Sequence, residues 1–183
     1  GIIVLAVAIL PMLGVVGTQL FKAEIPGLNK DHKMAPRISQ TAKKLWSVYL
    51  MFTLITFLAL KLAGMSWFDA ICHAMSGISL GGFSTHDNSI AYFNSVSIEL
   101  VLMAATIVGA INFTNHFYAL QHKTVRSYWQ DEEVRVLITL LLGSIVLVSL
   151  YLWWKDYYTS LADAFRFVSF NFVSIGLANG YAN

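Results

Sequence analysis

Ser66-Trp67-Phe68-Asp69-Ala70-Ile71-Cys72-His73-Ala74-Met75-Ser76-Gly77-Ile78-Ser79-Leu80-Gly81-Gly82-Phe83-Ser84 lies between two long apolar segments. Its Trp67 to Ile78 portion is amphipathic and too short to cross a bilayer, and it runs into a turn carrying two glycines. The same plan occurs again: Ser160-Leu161-Ala162-Asp163-Ala164 leads to Leu177-Ala178-Asn179-Gly180-Tyr181-Ala182. Within a membrane, non-helical backbone is tolerated only where protein buries it or where it lines a watery path, so a short helix ending in such a turn suits the lining of an ion pore.

Composition sets the environment. The chain is 57% hydrophobic and 12% charged, with a mean hydropathy of +0.63, far more apolar than an ordinary soluble domain. A span needs about 20 mostly apolar residues, and four stretches qualify: Gly1 to Phe21, Leu45 to Ala63, Val96 to Leu120 and Val134 to Trp154. Trp46, Trp153, Trp154, Tyr157 and Tyr158 sit near span ends, where amphipathic rings favour the lipid interface.

Charge then gives topology. Of 12 basic residues, Lys22, Lys30, Lys33, Arg37, Lys43 and Lys44 lie between the first two spans, and Lys123, Arg126 and Arg135 flank a later loop. Basic residues near span ends prefer the cytoplasm, so both loops are expected there, with an even number of crossings between them. Leu45 to Ala63 and Val96 to Leu120 supply those crossings. Trp67 to Ile78 must therefore enter the membrane and return, as a re-entrant helix.

The repeat agrees. Asp69 and Asp163 are 94 positions apart, and that shift lays Val96–Leu120 over Ile2–Pro26 and Val134–Trp154 over Gln40–Leu60. The fold class expected is all-α integral membrane, built from repeated units of span, re-entrant pore helix, filter turn and span. Residues 1–40 read as the last span of one unit plus a basic cytoplasmic linker, 41–122 as a complete second unit, and 123–183 as a third unit up to its filter. The chain thus reads as a piece of a longer protein.

Ser66 and Ser160 are expected to cap their helices, with Asp69 and Asp163 three residues on as in a capping box. The helix C-termini then point partial negative charge at the turns, where backbone carbonyls can replace a cation's water shell. Gly81, Gly82 and Gly180 supply the backbone freedom. Taken alone, Gly81-Gly82 reads equally as an ordinary interhelical turn; repeat and topology together favour a filter.

A family resemblance appears at these residues. Phe68-Asp69-Ala70-Ile71-x-His73 followed by Gly81-Gly82-Phe83-Ser84-Thr85-His86-Asp87-x-Ser89-Ile90-x-Tyr92-Phe93 resembles the second pore unit of the Trk/Ktr/HKT superfamily, in particular bacterial Trk-type potassium-uptake transmembrane proteins. Gly1 to Pro11, Pro36-Arg37-Ile38-x-x-Thr41-Ala42-Lys43-x-Leu45-Trp46 and Phe170-Asn171-x-Val173-Ser174-Ile175 resemble the same family in the same order. The resemblance implies a potassium permease with four such units in pseudo-fourfold array around one pore. It also implies a homodimer in the bacterial inner membrane, gated by a cytosolic nucleotide-binding regulatory subunit. The family's filter glycines fall on Gly82 and Gly180, and the implied potassium-binding residues are Leu80, Gly81, Gly82, Ala178, Asn179 and Gly180. Leu177-Ala178-Asn179 departs from the Thr-rich residues usual in the third filter.

Potassium is then the transported ion, and no cofactor is expected. Nor is catalysis: no nucleophile–base arrangement or phosphate-binding glycine loop is evident, and five scattered His with one Cys lack metal-ligand spacing. Arg166 either faces the permeation path or, in a structural role, pairs with an acidic group or snorkels to water. Asn112, Asn115 and His116 either glue helices or line an inner vestibule. Glu99 is expected to reach the interface, and His73 and Cys72 to pack or hydrogen-bond. Gln121 to Glu133 is either a docking surface for a gating partner or a solvated loop. Two other functions remain open: a broken-helix secondary transporter for another solute, and a non-conducting membrane scaffold.

Overall fold

A computed structural model describes residues 34–183, and among them every regular element is helical. The apolar stretch Gly1 to Phe21 and the basic residues Lys22, Lys30 and Lys33 lie outside the described residues. The chain divides into units 1–51 and 52–183, and both glycine-bearing turns lie in the second.

Helix α1 (Met34–Leu62) contains the first described span, Lys43–Leu62, with mean hydropathy 1.8. Twenty residues rising 1.5 Å each give about 30 Å, the thickness of a hydrocarbon core. Gly64 closes the helix at φ +107°: its N–H donates to the Lys61 carbonyl (3.2 Å) and the Met65 N–H to the Leu60 carbonyl (3.2 Å), the paired bonds of a Schellman close.

Helix α2 (Trp67–Ile78) has 12 residues, about 18 Å, so it cannot span. After a 3₁₀ turn at Ser89–Phe93 comes α3 (Val96–Ala110), which packs closely on α2. Gly77 has space for a methyl only in contact with Leu102 and Ala105, and a methyl on Gly109 would stand 2.6 Å from the Ile78 carbonyl oxygen. Small residues let the two backbones approach, as helix pairs in lipid require.

The stretch from Val96 to Leu120, expected as a span, is not one continuous helix. The chain breaks after Ala110, and α4 (Phe113–His122) leaves at 95° to α3. Ile111 turns extended and Asn112 restarts the helix by accepting from the Thr114 N–H at 3.0 Å. The His116 Nε2 bonds the Val108 carbonyl at 2.9 Å, the group that an unbroken helix would have paired with the Asn112 N–H.

Helix α5 (Arg126–Gln130) leads to α6 (Glu132–Trp154), whose mean hydropathy is 2.4. Asp131 caps α6, accepting from Glu133 and Val134 N–H groups at 2.8 and 3.3 Å. Only 17% of the α6 apolar window is buried against the rest of the chain, and Leu140, Leu147, Leu150 and Trp154 point outward, as a lipid-facing helix requires. Helix α7 (Leu161–Gly176) packs on α6 through Leu141, Ile145, Val173 and Leu177. A second cluster joins Leu60, Met65, Ala74, Ile98, Leu102, Phe170 and Tyr181, holding α2, α3 and α7 around the two turns.

Candidate ion-binding site

The entrance to α2 is half of the capping box expected: Ser66 caps the helix, but the Asp69 carboxylate takes the Ser66 hydroxyl rather than its backbone N–H. Ser66 Oγ accepts from the Asp69 N–H at 3.0 Å and donates to Asp69 Oδ2 at 2.7 Å. Asp69 also holds the segment beyond the turn, since Thr85 Oγ1 donates to its Oδ1 at 2.6 Å and the His86 Nε2 stands 3.5 Å away. His73 Nδ1 donates to the Asp69 carbonyl at 2.8 Å, which leaves Nε2 to accept from Ser84 Oγ at 3.0 Å. His73 therefore braces the turn, in agreement with its expected structural role. At α7 the cap differs: Ser160 Oγ accepts from Ala162, not from Asp163.

Both short helices end in the same close. The Leu80 N–H donates to Gly77 (3.2 Å) and Gly81 N–H to Ser76 (2.8 Å); Ala178 N–H donates to Ile175 (3.0 Å) and Asn179 N–H to Ser174 (2.8 Å). Each is a Schellman pair, but the left-handed position is held by a non-glycine residue, Leu80 at φ 56° and Ala178 at φ 57°. Two residues on, Gly82 (φ 65°) and Gly180 (φ 87°) are left-handed as well. The caps Ser66 and Ser160 are 94 positions apart, whereas Leu80 and Ala178 are 98 apart. The difference is one helical turn, matching 16 residues in α7 against 12 in α2.

The two turns meet. A methyl on Gly82 would stand 1.7 Å from the Asn179 carbonyl oxygen and 2.7 Å from its carbon, so only glycine admits this approach. The serines beneath are used in opposite senses. Ser76 Oγ accepts from the Phe83 N–H at 2.7 Å, whereas Ser174 Oγ donates to the Tyr181 carbonyl at 2.7 Å. Tyr181 is buried, stacked 5.8 Å from the His73 ring. Thus the structure brings Gly82 against Asn179 and Gly180 and places Leu80, Gly81 and Ala178 in the same paired turns.

The expectation that Glu99 reaches the interface is corrected. It is 1% exposed and accepts two bonds from Arg166, from Nε to Oε2 at 2.8 Å and from Nη2 to Oε1 at 2.5 Å. Arg166 therefore takes the acidic-partner role, joining α7 to α3. Asn112 only caps its own helix, whereas Asn115, donating to Asp131, and His116, whose Nδ1 meets the Tyr128 hydroxyl at 2.8 Å, join α4 to its neighbours. The Asn115 bond, ahead of smaller contributions, holds the Asp131 carboxyl below its ordinary value. Among the described residues, no group of three His, Cys, Asp or Glu gathers to hold a metal.

Residues 1–174 match the TrkH family, described as cation transport protein. The chain belongs to that family. It is 46% identical over 182 residues to the Trk system potassium uptake protein TrkH of Halomonas elongata, covering 100% of this chain and 38% of that protein. To the TrkH of Escherichia coli K12 it is 44% identical over 181 residues, 99% of this chain and 38% of the relative. The crystal structure of the potassium transporter TrkH from Vibrio parahaemolyticus superposes with a TM-score of 0.80 at 42% identity, covering 100% of this chain and 36% of that one. The chain thus spans a little over a third of its relatives' length. As a member of this family it is an all-helical, multi-pass protein of the bacterial inner membrane.

Proposed function

We propose that the protein containing this chain takes up potassium across the inner membrane, with the paired turns acting as two parts of a selectivity filter. Carbonyls of Leu80, Gly81, Ala178 and Asn179 would replace the ion's water shell, with Gly82 and Gly180 granting the backbone its shape. The observation that carries this reading is the repetition of one turn conformation at two places that touch at Gly82. A hairpin serving only to reverse the chain has no need of left-handed Leu80 and Ala178, each costing about 1–2 kcal/mol against glycine.

On this reading, residues 41–122 form one pore unit and 123–183 most of the next, preceded in 1–40 by the end of another. The names of the relatives, Trk system potassium uptake proteins, support the choice of ion. Entry would be driven by the membrane potential, about 2.3 kcal/mol per charge at 100 mV. A homodimeric assembly and gating by a cytosolic nucleotide-binding subunit belong to the same proposal, with 121–133 as the docking surface.

The test is rubidium and potassium uptake by the full-length protein in cells lacking their own potassium uptake. Wild type restores uptake, and Gly82→Ser abolishes it or lets sodium compete. Uptake that is absent, or indifferent to Gly82→Ser at equal abundance, favours a scaffold or a transporter of another solute.

A further inference from the structure

Among residues 79–82 and 177–180, Asn179 alone has a buried polar side chain. It is 3% exposed, and its Nδ2 donates to Thr106 Oγ1 at 2.5 Å; Thr106, in the C-terminal half of α3, is 2% exposed. Its Oδ1 is buried with no hydrogen-bond partner, an arrangement that packing alone does not favour, since a leucine would fill the space without a stranded acceptor. The residue at the equivalent place in the other turn is Gly81, which has no side chain to tie. Meanwhile the Asn179 N–H is fixed on the Ser174 carbonyl at 2.8 Å.

The Asn179 carbonyl shares its peptide plane with the Gly180 N–H, which donates to the Ser174 carbonyl at 3.3 Å; with that N–H and the Asn179 side chain both held, the carbonyl oxygen is kept beside Gly82. Thr106 stands seven residues after Glu99, on the same face of α3, and Glu99 grips Arg166 near the other end of α7. One stripe of α3 therefore holds the third unit at both ends. We infer that Thr106, outside either turn, is a positioning residue for ion selectivity: through the Asn179 amide it sets the aim of a carbonyl that contacts the ion. This rests on the filter reading above and adds to it a residue on a spanning helix.

The experiment is rubidium uptake by the full-length protein with sodium as competitor, in cells lacking their own potassium uptake. It compares wild type, Thr106→Ser, Thr106→Val and the double variant Thr106→Val/Asn179→Leu. Thr106→Ser retains the hydroxyl and keeps wild-type discrimination. Thr106→Val weakens rubidium-over-sodium discrimination by about fivefold or more, the scale of one lost buried hydrogen bond. Should Thr106→Val fail to accumulate, the double variant is read instead: it restores an apolar contact, and its discrimination falls likewise. If wild type transports rubidium and the valine or double variant discriminates as well as wild type, the tie is overturned while the filter stands. If wild type carries no rubidium, the filter reading fails and the inference falls with it.

Discussion

Ala178 is exposed and left-handed at φ 57°, so its methyl meets the backbone penalty without any packing in return. Ala178→Gly is expected to raise stability by about 0.5–1 kcal/mol, the left-handed cost less the chain entropy glycine adds to the unfolded state. Thermal unfolding in detergent measures it. Glu99 is the opposite case, a buried charge whose value lies in its partner. Removing either member of a buried pair costs about 3–5 kcal/mol; because Arg166 keeps 25% of its side-chain surface, Glu99→Ala should cost nearer 2–3 kcal/mol. A loss no greater than that of an exposed control, such as Glu132→Ala, would contradict the pairing.

At the scale of elements, the break between α3 and α4 and the seating of α4 on the start of α6 depend on a few polar groups. Asp131 is held below its ordinary pKa, chiefly by Asn115. A carboxylate depressed in the folded state contributes stability above its unfolded pKa, near 3.9, and that contribution is lost as pH falls through the folded value. Acid unfolding should therefore set in at higher pH for Asn115→Leu than for wild type, and Asp131→Asn should remove that part of the pH dependence. Identical acid transitions in all three proteins would exclude the contact.

The sequence made some of these elements legible and hid others for physical reasons. Ser66 and Asp69 announce α2 because capping is local, decided within four residues. The break at Ile111 is hidden because Val96 to Leu120 is apolar on average despite Glu99, Asn112, Asn115 and His116, and hydropathy registers length without direction. Asn112 was the available signal, a good cap residue inside an apolar run. The extra turn of α7 is hidden as well, since a repeat aligned on Asp69 and Asp163 carries no information about where the helices end. Glu99–Arg166 and Thr106–Asn179 join residues 67 and 73 positions apart, and only tertiary packing shows them.

For the whole molecule, the placement of basic residues predicts the sidedness. With Cys72 replaced by alanine, a cysteine at exposed Gln121 should react with impermeant thiol reagents only from the cytoplasmic side, and one at exposed Tyr157 only from outside. Labelling of both from one side would mean that Val134 to Trp154 does not cross, and the re-entrant assignment of α2 and α7 would fail with it. On the proposed filter reading, the apolar outer face of α6 would meet lipid, and the junction of α2, α3 and α7 would hold a backbone-lined path.

The most direct measurement is anomalous scattering from crystals of the full-length protein grown with rubidium in place of potassium. A peak is expected where the two turns face each other, within coordination distance of the Leu80, Gly81, Ala178 and Asn179 carbonyls, and it should vanish in Gly82→Ser. A protein that transports rubidium yet binds it only away from these turns would contradict the filter assigned to them.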